Sequence, residues 1–376
     1  IDVAAQKLQI KDGKQASAEE KLFAYESGSK ELSRAMLTRM SKLYRRPLLT
    51  FYLDTPPNKG DRGEDFRTLP DHFEAEENVY VDVLIRDIKA RQSTIREALI
   101  DEDEATPLTF IGKNTADQGV RSVVQTIREV FDINIEEYRN QANQKEAFKF
   151  LRQRAEKAGI FVLLKGNLGS HHTNIDVKVF RGFALSDNIA PFIVINDRDA
   201  RSAWSFTLLH EMAHLALGQT GVSGAFAEKK IEKFCNQVAS EFLLSSKEFA
   251  NFQPTSLDIE TIRDEISDYA ALLKISSSHV SYRLFRRGDI DKKLWVDLRD
   301  FYYQQWQSQR NIEREKNRKQ GGGPNPYVVG RYKLGALASL VQRLTFSGAL
   351  TTTKAGMLLD VRPLKVHRIF DNSQLA

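Results

Sequence analysis

Cysteine is almost missing from this chain: Cys235 is the only one in 376 residues. That excludes an internal disulfide and any zinc site built on several thiolates. Long apolar runs are missing too. Nothing approaches the ~18 consecutive apolar residues of a membrane helix, and no secretory signal is read at the start. Together these absences predict a protein of the reducing cytoplasm that does not enter a membrane. Internal repeats are absent, and histidine is scarce at seven residues. What is present is ordinary for a globular protein, 41% apolar and 28% charged, at a length that allows two or three domains with substantial cores. The net charge of +5 is a weak pull toward nucleic acid or an acidic partner.

Two of the seven histidines stand four apart, in Phe206-Thr207-Leu208-Leu209-His210-Glu211-Met212-Ala213-His214. At these residue frequencies a His-[Asp/Glu]-x-x-His arises by chance about 0.02 times per chain. On an α-helix the two imidazoles share a face, one turn apart, and can bind one Zn²⁺ at about 2.0–2.1 Å each. Glu211 then points at a water on that ion and can take its proton. Asp197 and Asp199 are candidate N-caps, Gly218 is a natural C-terminal stop, and Phe206, Leu209, Ala213 and Leu217 make an apolar stripe. The bland alternative is a fortuitous histidine pair on an ordinary amphipathic helix.

A catalytic zinc site of this kind needs a third protein ligand. Residues 230–245 read as a returning helix with Ile231, Phe234, Cys235, Val238, Ala239, Phe242 and Leu243 on its apolar face. Glu232 lies at the edge of that face and would complete a His₂Glu set, with Glu228 and Glu241 as competing carboxylates. Asn236, one turn beyond Glu232, is placed to hydrogen-bond a ligand from behind.

The segments "SFTLLHEMAHLALG" and "IEKFCNQVASEFLL" resemble the ImmA/IrrE metallopeptidases, whose pattern is F-T-x-x-H-E-x-x-H and then E-x-x-A-N-x-F-A-x-x-L-L. The upstream "DVKVFRGFALSDNIAPFIVIND" is similar to that family's strand-turn-strand lead-in. The likeness is specific over about residues 140–245. Cys235 stands where Ala is usual, Val238 where Phe is usual, and Ala203 where an arginine is often found. The resemblance implies His210, His214 and Glu232 as zinc ligands and Glu211 as general base. It also implies a narrow protein substrate, a helix-turn-helix repressor whose cleavage switches on stress or mobile-element genes. The fold expected is α+β: mostly helical, with a small sheet packed on a helical core that carries the His-Glu-x-x-His. The alternative function is a DNA-binding regulator whose peptidase fold only senses or docks.

Domain boundaries follow from composition. Residues 1–55 read as three short helices, Val3–Leu8, Ala18–Tyr25 and Ser33–Tyr44, and resemble the later helices of an XRE-type helix-turn-helix domain. That resemblance puts a groove helix near Ser17–Tyr25, with Lys21 among its exposed residues. Residues 1–50 carry 10 Lys/Arg against 6 Asp/Glu, compatible with phosphate contacts. The same segment reads equally well as a helical cap that does not bind DNA, since an opening helix is lacking and Glu19, Glu20 and Glu26 would meet phosphates. Residues 56–78 form a linker by composition, and 79–303 the peptidase-like domain. Within it, helices are expected at Val79–Asp101, Gly119–Phe131 and Gln144–Ala158. Strands are expected at Gly159–Leu164, Asp176–Phe183 and Pro191–Asn196, the last two joined by a turn at Ser186-Asp187-Asn188. A sheet edge there would suit pairing with an extended peptide. His171 and His172 stand in a Gly/Ser loop, either as cleft groups or as solvated loop histidines. His279 reads as structural, and His72 and His367 have no supporting context. Residues 304–326 read as a second linker and 327–376 as a small basic helical segment, fit to dock on the peptidase domain or to touch nucleic acid.

Overall fold

The computed structural model describes residues 2–13, 16–44, 48–53, 55, 75–219, 225–319 and 324–371. The chain divides into two units, residues 1–60 and 61–376. In the first, helices α1 (Asp2–Lys7), α2 (Ala18–Glu26) and α3 (Arg34–Tyr44) surround a small core of Ala5, Leu8 and Leu22, with Met36, Met40 and Leu43 packed on it. Ser17 and Glu20 close a capping box at the start of α2, so its first free N–H groups are already satisfied from within the chain. Lys21 is half-buried, and its ammonium donates to the Lys11 carbonyl at 2.7 Å. It is therefore tied down and not held out toward a phosphate.

In the second unit α4 (Ala75–Asp101), α5 (Val120–Val130), α6 (Ile135–Arg139) and α7 (Gln144–Lys157) precede three strands, β1 (Phe161–Leu164), β2 (Gly182–Leu185) and β3 (Phe192–Ile195). Of the expected linker 56–78, residues 56–74 lie outside the described residues, His72 among them, and 75–78 open α4. The strand order is β1-β3-β2, with β1 parallel and β2 antiparallel to β3. The expected strand at Asp176–Phe183 begins only at Gly182. Asp176 turns the chain, its side chain accepting from Lys178 N and its carbonyl from Val179 N. Asp187 makes the turn between β2 and β3 by accepting from Ile189 N and Ala190 N.

Both faces of this sheet are covered, so β1 and β3 are unbroken apolar runs without alternation. One face presents Val162, Leu164, Ile193 and Ile195 to the larger core. That core is shared by α5, α7, α8 (Arg201–Ala216), α9 (Ala225–Leu243), α10 (Ser246–Phe249), α11 (Ile259–Leu273), α12 (Ser277–Arg287) and the start of α13 (Lys292–Lys319). The other face presents Phe161, Leu163, Phe183, Phe192 and Val194 to α4 and to α14 (Pro326–Leu334), α15 (Ala336–Phe346), α16 (Thr352–Leu359) and α17 (Val366–Phe370). The C-terminal helices thus share one core with α4 and the sheet. Arg152 ties them in, donating to Val162 O, Tyr332 O and Lys333 O while paired with Glu156. Residues 304–319, expected as irregular linker, continue α13: a run rich in Gln, Arg, Glu and Lys is a good exposed helix former whatever its polarity. No helix among the described residues is long and apolar enough to cross a membrane.

Candidate metal centre

The helix α8 that carries His210, Glu211 and His214 is buried on all sides from Trp204 to Ala216 except at half-buried Phe206. The stripe expected from the sequence is therefore only part of its apolar surface. Its start differs from expectation. The N-cap position is Ala200, Asp199 accepts from Ala200 N, and Asp197 pairs with Lys333, so neither acid caps the helix. At the other end, Gly112 N donates to Leu215 O and Asn114 N to Ala216 O, satisfying carbonyls the helix leaves free. Gly218 follows at φ +65°, and a Cβ there would meet Gly112 Cα at 2.6 Å. Only glycine fits this stop.

His210 and His214 are almost wholly buried, with Nε2 atoms 3.1 Å apart. Glu232 reaches them from α9: Oε2 lies 3.2 Å from His210 Nε2 and Oε1 lies 3.1 Å from His214 Nε2. Gln219, just past the end of α8, accepts at Oε1 from His214 Nδ1 at 3.3 Å. That bond places the ring hydrogen on Nδ1 and leaves Nε2 as a bare lone pair. Two imidazole nitrogens and the two oxygens of one carboxylate therefore converge, with contacts of 3.1, 3.1 and 3.2 Å. The edge of a tetrahedron with metal–ligand bonds of 2.0 Å is about 3.3 Å, and in this triangle of side chains the Nε2 atoms lie near that distance from each other and each from its nearer Glu232 oxygen.

Glu211 also lies within 4.8 Å of both imidazole donors and is the rival carboxylate. Its carboxylate turns toward β2, where a Cβ on Gly182 would meet Glu211 Oε1 at 2.9 Å and Thr207 Cγ2 at 2.6 Å. The side chain that closes the triangle is Glu232, and Glu211 stands beside it, facing β2 at Gly182. Gly182→Ala forces α8 and β2 apart and is expected to cost ~1–3 kcal/mol. Thermal unfolding reads this directly, and an unchanged midpoint would contradict the close approach.

The other expected residues distribute unevenly. Glu241 is engaged nine residues further along α9, accepting from Ser246 N and Oγ. The Glu228 and His171 side chains lie outside the described residues. Asn236 lines the adjoining cleft and makes no hydrogen bond to the cluster among the described residues. His172 is exposed on the short 3₁₀ turn His171–Thr173 and does not belong to the cluster. Cys235, buried beside His214, is pushed up by burial, which keeps it a thiol.

A cleft of about 900 Å³ adjoins the cluster. Its lining includes Thr207, one turn before Glu211, and Asn236, one turn after Glu232. His279 lies in its wall, its Nε2 2.8 Å from Ser240 Oγ, which also accepts from Arg283 Nη1 at 2.8 Å. Burial, and then the charge of Arg283, push His279 down to about 3, so it is neutral and structural. Gln219 and this cleft escaped the sequence reading. A glutamine five residues after the second histidine was the available signal for the first. The second is assembled from five separate elements, and no local pattern marks it.

No curated protein and no solved structure matches this chain. Residues 155–285, from the end of α7 through α12, match the family model described as the IrrE N-terminal-like domain, Peptidase_M78. The match covers about a third of the chain, does not extend to residues 1–55, and contains the whole cluster, so a metallopeptidase-type domain carries the candidate metal-binding group.

Proposed function

We propose that this chain is a zinc-dependent endopeptidase with His210, His214 and Glu232 as ligands and Glu211 as general base. The observation that carries the reading is the convergence of His210 Nε2, His214 Nε2 and the two oxygens of the Glu232 carboxylate, with contacts of 3.1–3.2 Å, close to the edge of a tetrahedral site. The set of two imidazoles and one carboxylate leaves a coordination position open, as catalytic zinc sites require. Zinc bound there supplies Lewis-acid polarisation of the scissile carbonyl and lowers the pKa of the attacking water. Glu211, buried beside the triangle, takes that water's proton and delivers it to the leaving nitrogen. Gln219 holds the His214 ring in the tautomer that presents Nε2. β2 ends the sheet among the described strands, so its outer edge can pair with an extended peptide across from Glu211.

Sequence resemblance supports a helix-turn-helix repressor as the substrate. Incubating the zinc-loaded chain with a panel of purified repressors of that type, read by intact-mass analysis, tests it. One defined cut that needs zinc is expected, and uncut repressors throughout would remove this substrate class. Gln219→Ala is expected to weaken zinc on the order of 10–100-fold, as loss of an orienting partner does. Competition with a chromophoric chelator measures this, and unchanged affinity would contradict Gln219's role. The rival reading, a DNA-binding regulator, rests on the excess of basic residues in 1–50. It predicts DNA binding that falls steeply with salt. The tethering of Lys21 to Lys11 O gives it little support.

A further inference from the structure

The cleft beside the metal centre is lined by six cationic side chains: Arg121, Arg181, Lys233, Arg283, Arg286 and Arg287. Among the described residues its lining holds one carboxylate, Glu241, which is engaged with Ser246. Three of the six cations are already used. Arg287 pairs with Asp289 and donates to Phe249 O and Phe252 O, both at 2.6 Å. Arg283 donates to Ser240 Oγ and to Leu244 O at 3.1 Å, closing the C-terminal end of α9. Arg181 lies 3.5 Å from Asp199. The remaining three, Arg121 from α5, Lys233 from α9 and Arg286 from α12, are exposed and have no partner among the described residues. Three separate helices thus aim unpaired positive charge at one concave space.

We propose that this cleft is the extended substrate subsite of the peptidase, and that it selects an acidic segment flanking the scissile bond. The proposal rests on the peptidase reading of the adjoining cluster. A chain paired along β2 would pass Arg181, the residue before Gly182, and would reach the cleft by way of Thr207 and Asn236. Carboxylates of that chain would meet Arg121, Lys233 and Arg286 at the rim. Half-buried Phe206 and exposed Tyr282 line the same cleft and give apolar side chains of the segment a surface. A nucleic-acid phosphate chain is the other polyanion to consider. A cleft of about 900 Å³ is sized for a few amino-acid side chains, and Thr207 and Asn236 in its lining lie one helical turn from Glu211 and Glu232.

The test uses the full-length, zinc-loaded chain carrying Glu211→Gln, so that bound peptide is not consumed. Fluorescence anisotropy compares a short labelled peptide alternating Glu with Leu against its Lys/Leu and Gln/Leu counterparts and a labelled single-stranded DNA. The Glu peptide is expected to bind at least about tenfold more tightly than the Lys peptide. The triple variant Arg121→Glu, Lys233→Glu, Arg286→Glu should reverse that order while leaving the Gln peptide unchanged. All three side chains are exposed, and the milder set of Gln substitutions at the same positions should abolish the preference without reversing it. Equal binding of the Glu and Lys peptides, or a preference that survives the charge reversal, would overturn the proposal. So would DNA binding tighter than the Glu peptide and lost on reversal, which would assign the cleft to nucleic acid. Cleavage of a mixed peptide library by the unsubstituted chain is scored separately. If binding shows the acidic preference but nothing is cut, the peptidase reading fails and the charge selectivity stands.

Discussion

Glu211→Gln is expected to lower peptide-bond cleavage by on the order of 10² or more while zinc content and thermal stability stay near the parent's. The substitution keeps shape and volume, which matters where Glu211 is buried against Thr207 and the backbone of Gly182. The converging atoms belong to His210, His214 and Glu232, so the metal should remain. What is lost is a carboxylate able to accept a proton from water, since an amide oxygen is far less basic. Single-turnover cleavage of a substrate peptide, with zinc measured on the same sample, checks both halves. A variant that loses zinc along with activity would make Glu211 a ligand and would reassign the third position of the site.

Glu232→Gln should have the larger effect on the metal itself. A neutral amide oxygen is a poorer zinc ligand than a carboxylate, and Glu232 contributes the only negative charge to the proposed set. Zinc affinity is expected to fall by about two orders of magnitude or more, with cleavage falling alongside. Glu241→Gln is the matched control on the same helix: its carboxylate is bound to Ser246, and zinc affinity should not move. Equal losses in the two variants would mean that α9 is being perturbed generally and that Glu232 has no special role. Metal titration on both proteins, with helicity recorded, separates the two.

The helices and the metal-type cluster were legible because their signals are local. His210 and His214 are spaced for one helix face, whereas the α9 pattern left Glu228, Glu232 and Glu241 as candidates, and only the contact between helices brings Glu232 to the imidazoles. Helices α1 to α3, α5 and α7 lie within a residue or two of the apolar periods that announced them. Other features are set by tertiary contact. Gly182 reads as any glycine at a strand start until β2 is laid against α8, where a side chain would strike Thr207 and Glu211. The start of α8 misled because Asp197 and Asp199, good caps by type, are drawn off to Lys333 and toward Arg181. Residues 304–319 looked like linker because their polarity was read before their helix propensity. The cationic cleft draws residues from positions 120 to 287, and a chain whose net charge is only +5 gives no hint of where such charges gather.

The most direct measurement is zinc K-edge X-ray absorption on the purified, zinc-loaded chain. The account predicts one zinc per chain with a first shell of nitrogen and oxygen only, at about 2.0–2.1 Å, including the outer-shell signature of two imidazoles. Cys235 is buried next to His214, so a sulfur ligand is the nearest alternative the structure offers. A shell at about 2.3 Å, the zinc–sulfur distance, or a chain that takes up no stoichiometric zinc while folded, would contradict it.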